Sequence, residues 1–305
     1  MTTTDRSGLS TGQIHAAVLV VLALLVPACG DHSKKDASSV VPSGPTGVST
    51  PVVQPTSPTP TPTPTPAPAP APQTAPANAC AVVSGVLGQS VESIINGSVC
   101  SAATSPVVLV RLYDDRGRDN GFCTGTVITD HAVLTAAHCL SGTSGVGIDL
   151  AGHEVRAASF QAIPGYRSRN PDSPDVGVII TTDALPRVPV PLLLSTDARV
   201  GDTGVIAGYG EDEGGNDSTL RAGPITISEI ETRFLVTQYT GVGSNTCWGD
   251  SGGPLLLAVS GGYAIAGVTS GGDEDCSRGM SDFARITNAD ISAFILGLVP
   301  NVSRR

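Results

Sequence analysis

Residues 245–257 read NTCWGDSGGPLLL. An acid, a serine and two glycines follow a cysteine and run straight into an apolar strand. Such a serine fits poorly into a buried strand, and the glycines mark a sharp bend. A hydroxyl held on that bend is placed as a nucleophile, which makes Ser251 the first candidate. A serine hydroxyl is weak in that role. It needs a base within hydrogen-bond reach, and the base needs a group that orients it.

The chain has five histidines. His15 and His32 lie in the N-terminal apolar segment and polar tail, and His131, His153 and His138 remain. His138 sits in VLTAAHCL, residues 133–140, where an apolar strand ends in two alanines, the histidine and Cys139. Between His138 and Ser251, the stretch SPDVGVII at 173–180 places Asp175 at the head of an apolar run. Asp172 has no strand directly after it, and Asp183 follows a strand rather than starting one.

TAAHC (135–139) and GDSGGP (249–254) together resemble the two signatures of the trypsin/chymotrypsin-like serine proteases. The resemblance spans about residues 94–298. SPDVGVII is similar to the family's Asp-Ile-Ala-Leu stretch, with Gly177 as a departure. The order His138, Asp175, Ser251 matches this family rather than subtilisins or α/β-hydrolases. The resemblance implies that Ser251 attacks a carbonyl carbon, His138 carries the proton and Asp175 holds the imidazole. It also implies an oxyanion hollow formed by the backbone N–H groups of Gly249 and Ser251.

Asp250 next to the nucleophile implies a buried carboxylate that needs a cation. In this family the cation is the α-ammonium released by cleaving a proregion, at a terminus that usually reads Ile-Val-Gly-Gly. Residues 94–97 read IING. The expected cut therefore lies between Ser93 and Ile94, with the Ile94 ammonium pairing with Asp250. Ser93 stands where trypsin-type zymogens have Lys or Arg, so the expected activator is not trypsin-like. On its residues alone, SIINGS also reads as a strand entering an Asn-Gly turn.

The same resemblance assigns a substrate pocket. Asn245 takes the floor position, where trypsins carry Asp, so strict tryptic specificity is not expected. Ser270, Gly271 and Gly272 are similar to the family's Ser-Trp-Gly, which binds substrate backbone as an added strand. Ser281 or Asp282 occupies the second wall. If Asp282 points inward, it restores a preference for basic residues. Trp248 is placed at the pocket entrance.

Seven cysteines stand at 29, 80, 100, 123, 139, 247 and 276. Six of them, without Cys29, read as three disulfides in an exported chain, and spacing alone leaves fifteen pairings open. The resemblance implies Cys123 with Cys139 and Cys247 with Cys276, which leaves Cys80 with Cys100 across the expected cut. No Cys-x-x-Cys or His-x-x-x-His spacing offers a metal site, and no metal or cofactor is expected.

The N-terminus carries Arg6 and then an apolar run of 11 residues, AAVLVVLALLV (16–26), too short for a comfortable membrane span. It ends in VPACG, which resembles a bacterial lipobox with Cys29 as the lipidated residue. Thirteen of the 24 prolines fall between Pro42 and Pro76, so this segment reads as an extended polyproline spacer. At about 3.1 Å per residue it reaches on the order of 100 Å.

The expected organisation is a signal peptide at 1–28, a disordered linker at 29–79, a propeptide at 80–93 and the protease domain at 94–305. From about residue 80 onward, short apolar runs broken by Gly, Pro, Asn and Asp predict an all-β fold. The family refines this to two antiparallel six-stranded barrels. Asn288 caps an expected C-terminal helix over Asn288 to Leu298. Net charge of −10 disfavours nucleic acid, which needs a basic face, and none is expected as a partner. The expected partners are protein or peptide substrates and, through Cys29, a membrane. The chain is expected to be an exported monomer of the cell envelope or medium. Readings weighed beside the endopeptidase are a protease fold displayed for binding, and an esterase of another fold.

Overall fold

The computed structural model describes residues 78–84, 91–92, 95–168, 170 and 172–305. The expected signal segment, Cys29, the proline-rich linker, Ser93 and Ile94 lie outside the described residues.

A short helix α1 (Ala79–Ser84) opens the described chain, with the Asn78 side chain accepting from the Ala81 amide. It begins one residue inside the expected linker. Strands β1 (Val91–Glu92) and β2 (Ser98–Val99) pair antiparallel. Asn96 between them takes a positive φ of 55°, the conformation that an Asn-Gly turn favours.

The first barrel uses β3 (Val107–Tyr113), β4 (Asp119–Thr129), β5 (Ala132–Thr135), β6 (Gly145–Asp149), β7 (Glu154–Ala162) and β8 (Gly177–Thr181). It closes in the order β3-β4-β5-β8-β7-β6. A single helical turn, α2 (Ala137–Leu140), follows β5. The second barrel uses β9 (Thr203–Gly208), β10 (Arg221–Ile230), β11 (Phe234–Tyr239), β12 (Pro254–Val259), β13 (Gly262–Gly272) and β14 (Gly279–Arg285). Their order is β9-β10-β11-β14-β13-β12, and pairing of β12 with β9 closes the ring. Helix α3 (Ala289–Leu298) ends the fold, and the Asn288 side chain accepts from the amides of Asp290 and Ile291 as an N-cap. The chain is therefore all-β, two six-stranded antiparallel barrels with a C-terminal helix.

The apolar runs form strands because each has a barrel interior to fill. In β12 the run Pro254-Leu-Leu-Leu is buried throughout. Leu255, Leu235, Ile206 and Phe283 meet in the second barrel, none more than 1% exposed. Fully burying one such side chain stabilises by roughly 2 kcal/mol. Pro254, with no amide to donate, stands at the first position of its strand, where the loss is tolerated.

Three disulfides are formed. Cys80 is bonded to Cys100, Cys123 to Cys139 and Cys247 to Cys276. The first joins α1 to the residue after β2. The second pins α2 against β4. The third ties the loop before Ser251 to the loop after β13.

Candidate active site

The His138, Asp175 and Ser251 candidates stand in segments next to barrel strands. His138 lies in α2, immediately after β5. Asp175 lies just before β8 and is 5% exposed. Its carboxylate accepts three hydrogen bonds. Oδ1 takes the His138 backbone N–H at 2.8 Å, and Oδ2 faces His138 Nδ1 at 2.7 Å and takes the Ser270 hydroxyl at 2.7 Å. A carboxylate with no proton of its own is acceptor-only, so Nδ1 carries the hydrogen and Nε2 keeps its lone pair. The ring edge bearing that lone pair is the part of His138 left for the cleft.

Ser251 and His138 line the same cleft, of about 460 Å³. Gly249 and Gly252 on either side have φ of 98° and 86°. A side chain at Gly249 would meet the Phe122 ring at 2.6 Å, and one at Gly252 would meet Thr124 O at 2.3 Å. The amides of Asp250, Gly252 and Gly253 are spent on Cys247 O, Thr269 O and Asp250 O. The amides of Gly249 and Ser251 find no acceptor among the described residues. Two backbone donors thus stay unengaged on and beside the nucleophile candidate, and such donors suit a developing oxyanion where they converge.

Asp250 is 2% exposed, and its carboxylate accepts from the amides of Gly210 at 2.8 Å and Cys247 at 2.9 Å. Burial pushes its pKa up to about 6, against the pull of those amides and of the Arg221 guanidinium. Residues just past the expected cut dock close by. Ile95 is 4% exposed and accepts from the Asn245 amide at 3.3 Å. The Asn96 side chain donates to the Tyr239 hydroxyl, its carbonyl accepts from Ser244 Oγ, and its amide donates to the Glu213 carboxylate. Glu213 belongs to the acidic loop 210–218, in which Asp212 pairs with buried Arg221 at 2.7 Å. Calcium-loop spacing is absent from that loop, and two of its acids, Asp212 and Glu213, serve these internal contacts.

The substrate-pocket candidates divide into two sets. Trp248, Ser270, Gly271 and Gly272 line the cleft, with Trp248 62% exposed at its mouth. Asn245 and Ser281 lie beneath it, 2% and 1% exposed. Asn245 Nδ2 donates to Cys276 O at 3.0 Å, and Asn245 Oδ1 accepts from Ser281 Oγ at 2.8 Å. Ser281 has then used its proton, so in the 2.7 Å contact with Thr246 the Thr246 hydroxyl donates. The relay Thr246–Ser281–Asn245–Cys276 is built from uncharged groups, and it engages Asn245 Oδ1 and one of the two Nδ2 hydrogens. Of the two second-wall candidates, Asp282 reaches the cleft and Ser281 does not.

Sequence reasoning read Ser270 only as a backbone contact and missed its hydroxyl bond to Asp175. It also missed Glu213, and Tyr166, whose phenol is shifted upward by burial and by the nearby Asp175 charge. Cys123, His138 and Cys139 cluster closely, but both sulfurs are taken up in one disulfide and are not metal donors.

The family model described as Trypsin matches residues 94–291. A chymotrypsin from Phaedon cochleariae is 30% identical over 223 residues, covering 64% of this chain and 79% of the relative. A brachyurin from Leptuca pugilator is 30% identical over 205 residues, covering 55% and 84%. Among solved structures, a neuropsin expressed in mouse brain superposes with a TM-score of 0.55 at 24% identity, covering 68% of this chain and all of that one. A collagenase structure gives 0.56 at 20% identity, covering 68% and 98%, and both likenesses speak to the fold. With barrels, matched segment and relatives in agreement, the chain belongs to the trypsin family of serine proteases and is a serine-type endopeptidase.

Proposed function

We propose that the chain is a secreted or surface-anchored endopeptidase that cuts peptide bonds with Ser251, His138 and Asp175. The observation that carries this is the Asp175 carboxylate, which holds His138 by its backbone amide and by ring Nδ1 and so leaves Nε2 for the Ser251 hydroxyl. In the first step the Ser251 Oγ–carbon bond forms and its proton passes to His138 Nε2. The carbonyl electron pair moves onto oxygen, where the Gly249 and Ser251 amides receive it. The carbon–nitrogen bond then breaks, and His138 returns the proton to the leaving amine. Water repeats the cycle on the acyl-enzyme.

The mature domain, residues 94–305, follows a signal peptide at 1–28, a linker at 29–79 and a propeptide at 80–93, with lipid on Cys29. Cleavage before Ile94 supplies an ammonium to Asp250, a buried carboxylate whose raised pKa marks the want of a cation. The uncharged floor at Asn245 selects a medium-sized polar or aromatic side chain at the bond to be cut.

The test is labelling by a fluorophosphonate probe, before and after processing, with N-terminal sequencing. The expected result is label on the form beginning at Ile94 and none on S251A. A processed chain that takes no label would replace this reading with a protease fold used for binding alone.

A further inference from the structure

Asp282 lines the catalytic cleft from the strand opposite Gly271. In the β13–β14 pairing Gly272 faces Ser281 and Gly271 faces Asp282. Paired residues share a face and neighbours alternate. Ser281 therefore projects toward the Asn245 floor, and Asp282 projects to the other side of the sheet. Gly271 has no side chain there, and a Cβ at that position meets nothing within 4 Å. The result is an open space above a partly buried carboxylate, with Phe234, Asn170 and Tyr166 around the same cleft.

That carboxylate has no hydrogen-bond donor and no cation among the described residues. Its charged neighbours are Glu231 and Asp273, which with burial raise its pKa. Asp273 is already engaged by the Met280 amide. The one described cation lining the cleft, Arg167, is exposed and makes no ion pair among the described residues. A carboxylate half out of water and beside like charges is costly unless a cation arrives.

A substrate strand laid antiparallel along Ser270–Gly272 alternates its side chains as the sheet does. The residue at the cut turns toward the Asn245 face. The second and fourth residues before the scissile bond, counting that residue as the first, turn toward the Gly271 and Asp282 face. We propose that Asp282 is a specificity determinant that receives a lysine or arginine side chain at the second or fourth position before the scissile bond. The enzyme thus reads an uncharged residue at the cut and a basic one upstream. This rests on the proposed catalytic reading of the same cleft.

The test is a positional peptide library hydrolysed by processed enzyme, with D282N beside the unmodified chain. The expected result is a preference of about tenfold or more in kcat/KM for Lys or Arg over norleucine at one of the two positions, weakened by salt. The readout is the ratio of basic to neutral peptide, which D282N collapses toward one. A second variant, D282K, inverts the preference toward Glu. No basic preference, or a D282N that slows both peptides equally, overturns the proposal. If no peptide is cut and no fluorophosphonate label appears, the catalytic reading fails instead. The Asp282 claim is then decided by binding of the Lys and norleucine peptides to S251A, where equal affinity overturns it.

Discussion

Asp175 holds His138 at two points, through the backbone amide at 2.8 Å and the ring at 2.7 Å, and takes the Ser270 hydroxyl as a third donor. The ring is thereby fixed in both position and tautomer. D175N keeps the shape but supplies an amide that can donate to Nδ1, which favours the wrong tautomer. The expected outcome is a fall in kcat of about 10⁴-fold with a much smaller change in KM, measured by steady-state hydrolysis.

Ser270 supports the same carboxylate from the substrate-binding strand. S270A removes one hydrogen bond to a charged group, worth roughly 1.5–3 kcal/mol. A fall in kcat of about tenfold is expected. A loss confined to KM would place the Ser270 hydroxyl on substrate binding alone.

The Asp250 pKa lies above the ordinary carboxylate value in the uncleaved chain, at about 6. A folded-state pKa raised in this way means the folded form binds the proton more tightly than the unfolded chain does. Its contribution is most favourable below about pH 4 and is lost as pH rises toward and past 6, on the order of 3 kcal/mol in all. Urea unfolding of uncleaved S251A, compared with S251A/D250N from pH 4 to 8, isolates this. The double variant should lack the decline, and processing before Ile94 should remove it from the chain that keeps Asp250.

S281A breaks the relay under the pocket and leaves Asn245 Oδ1 and the Thr246 hydroxyl without partners. The expected cost is about 1–3 kcal/mol of stability, seen as a lower midpoint in thermal or urea unfolding. An unchanged midpoint would mean that water enters the floor and replaces the serine.

Cys80 and Cys100 lie on opposite sides of the expected cut, and α1 is buried through Cys80 and Val83. Processed enzyme should run as one species on a non-reducing gel and release the N-terminal piece only with reductant. Replacing both cysteines with serine should free the piece without reductant, or leave it held by α1 packing alone in a native gel.

Ser251, His138 and the barrel strands were legible because their signals are local. Gly-Asp-Ser-Gly-Gly, Thr-Ala-Ala-His-Cys and the short apolar runs each specify their own backbone. Asp175 required the order of the motifs as well. What stayed hidden is assembled from distant parts of the chain. The Thr246–Ser281–Asn245 relay joins the segment before Ser251 to strand β14, and Glu213 meets Asn96 across 117 residues of sequence. Gly177 looked like a departure from the family pattern. Yet a side chain there would strike Leu140 at 2.5 Å, which shows β8 drawn against α2. Helix α1 spans only 6 residues, too few for a periodic pattern to show.

The exposed stretch from Glu213 to Ser218 carries a consequence for the enzyme's durability. One end of the loop holds the Asn96 amide through Glu213, and Gly210 at its root holds Asp250. A single nick by a neighbouring protease, anywhere along those exposed residues, leaves His138, Asp175 and Ser251 untouched. It would still loosen the seat of Asn96 and the amide that Gly210 gives to Asp250. The acidic loop would then act as the fuse of the molecule, the place where wear reaches these contacts before the barrels themselves give way.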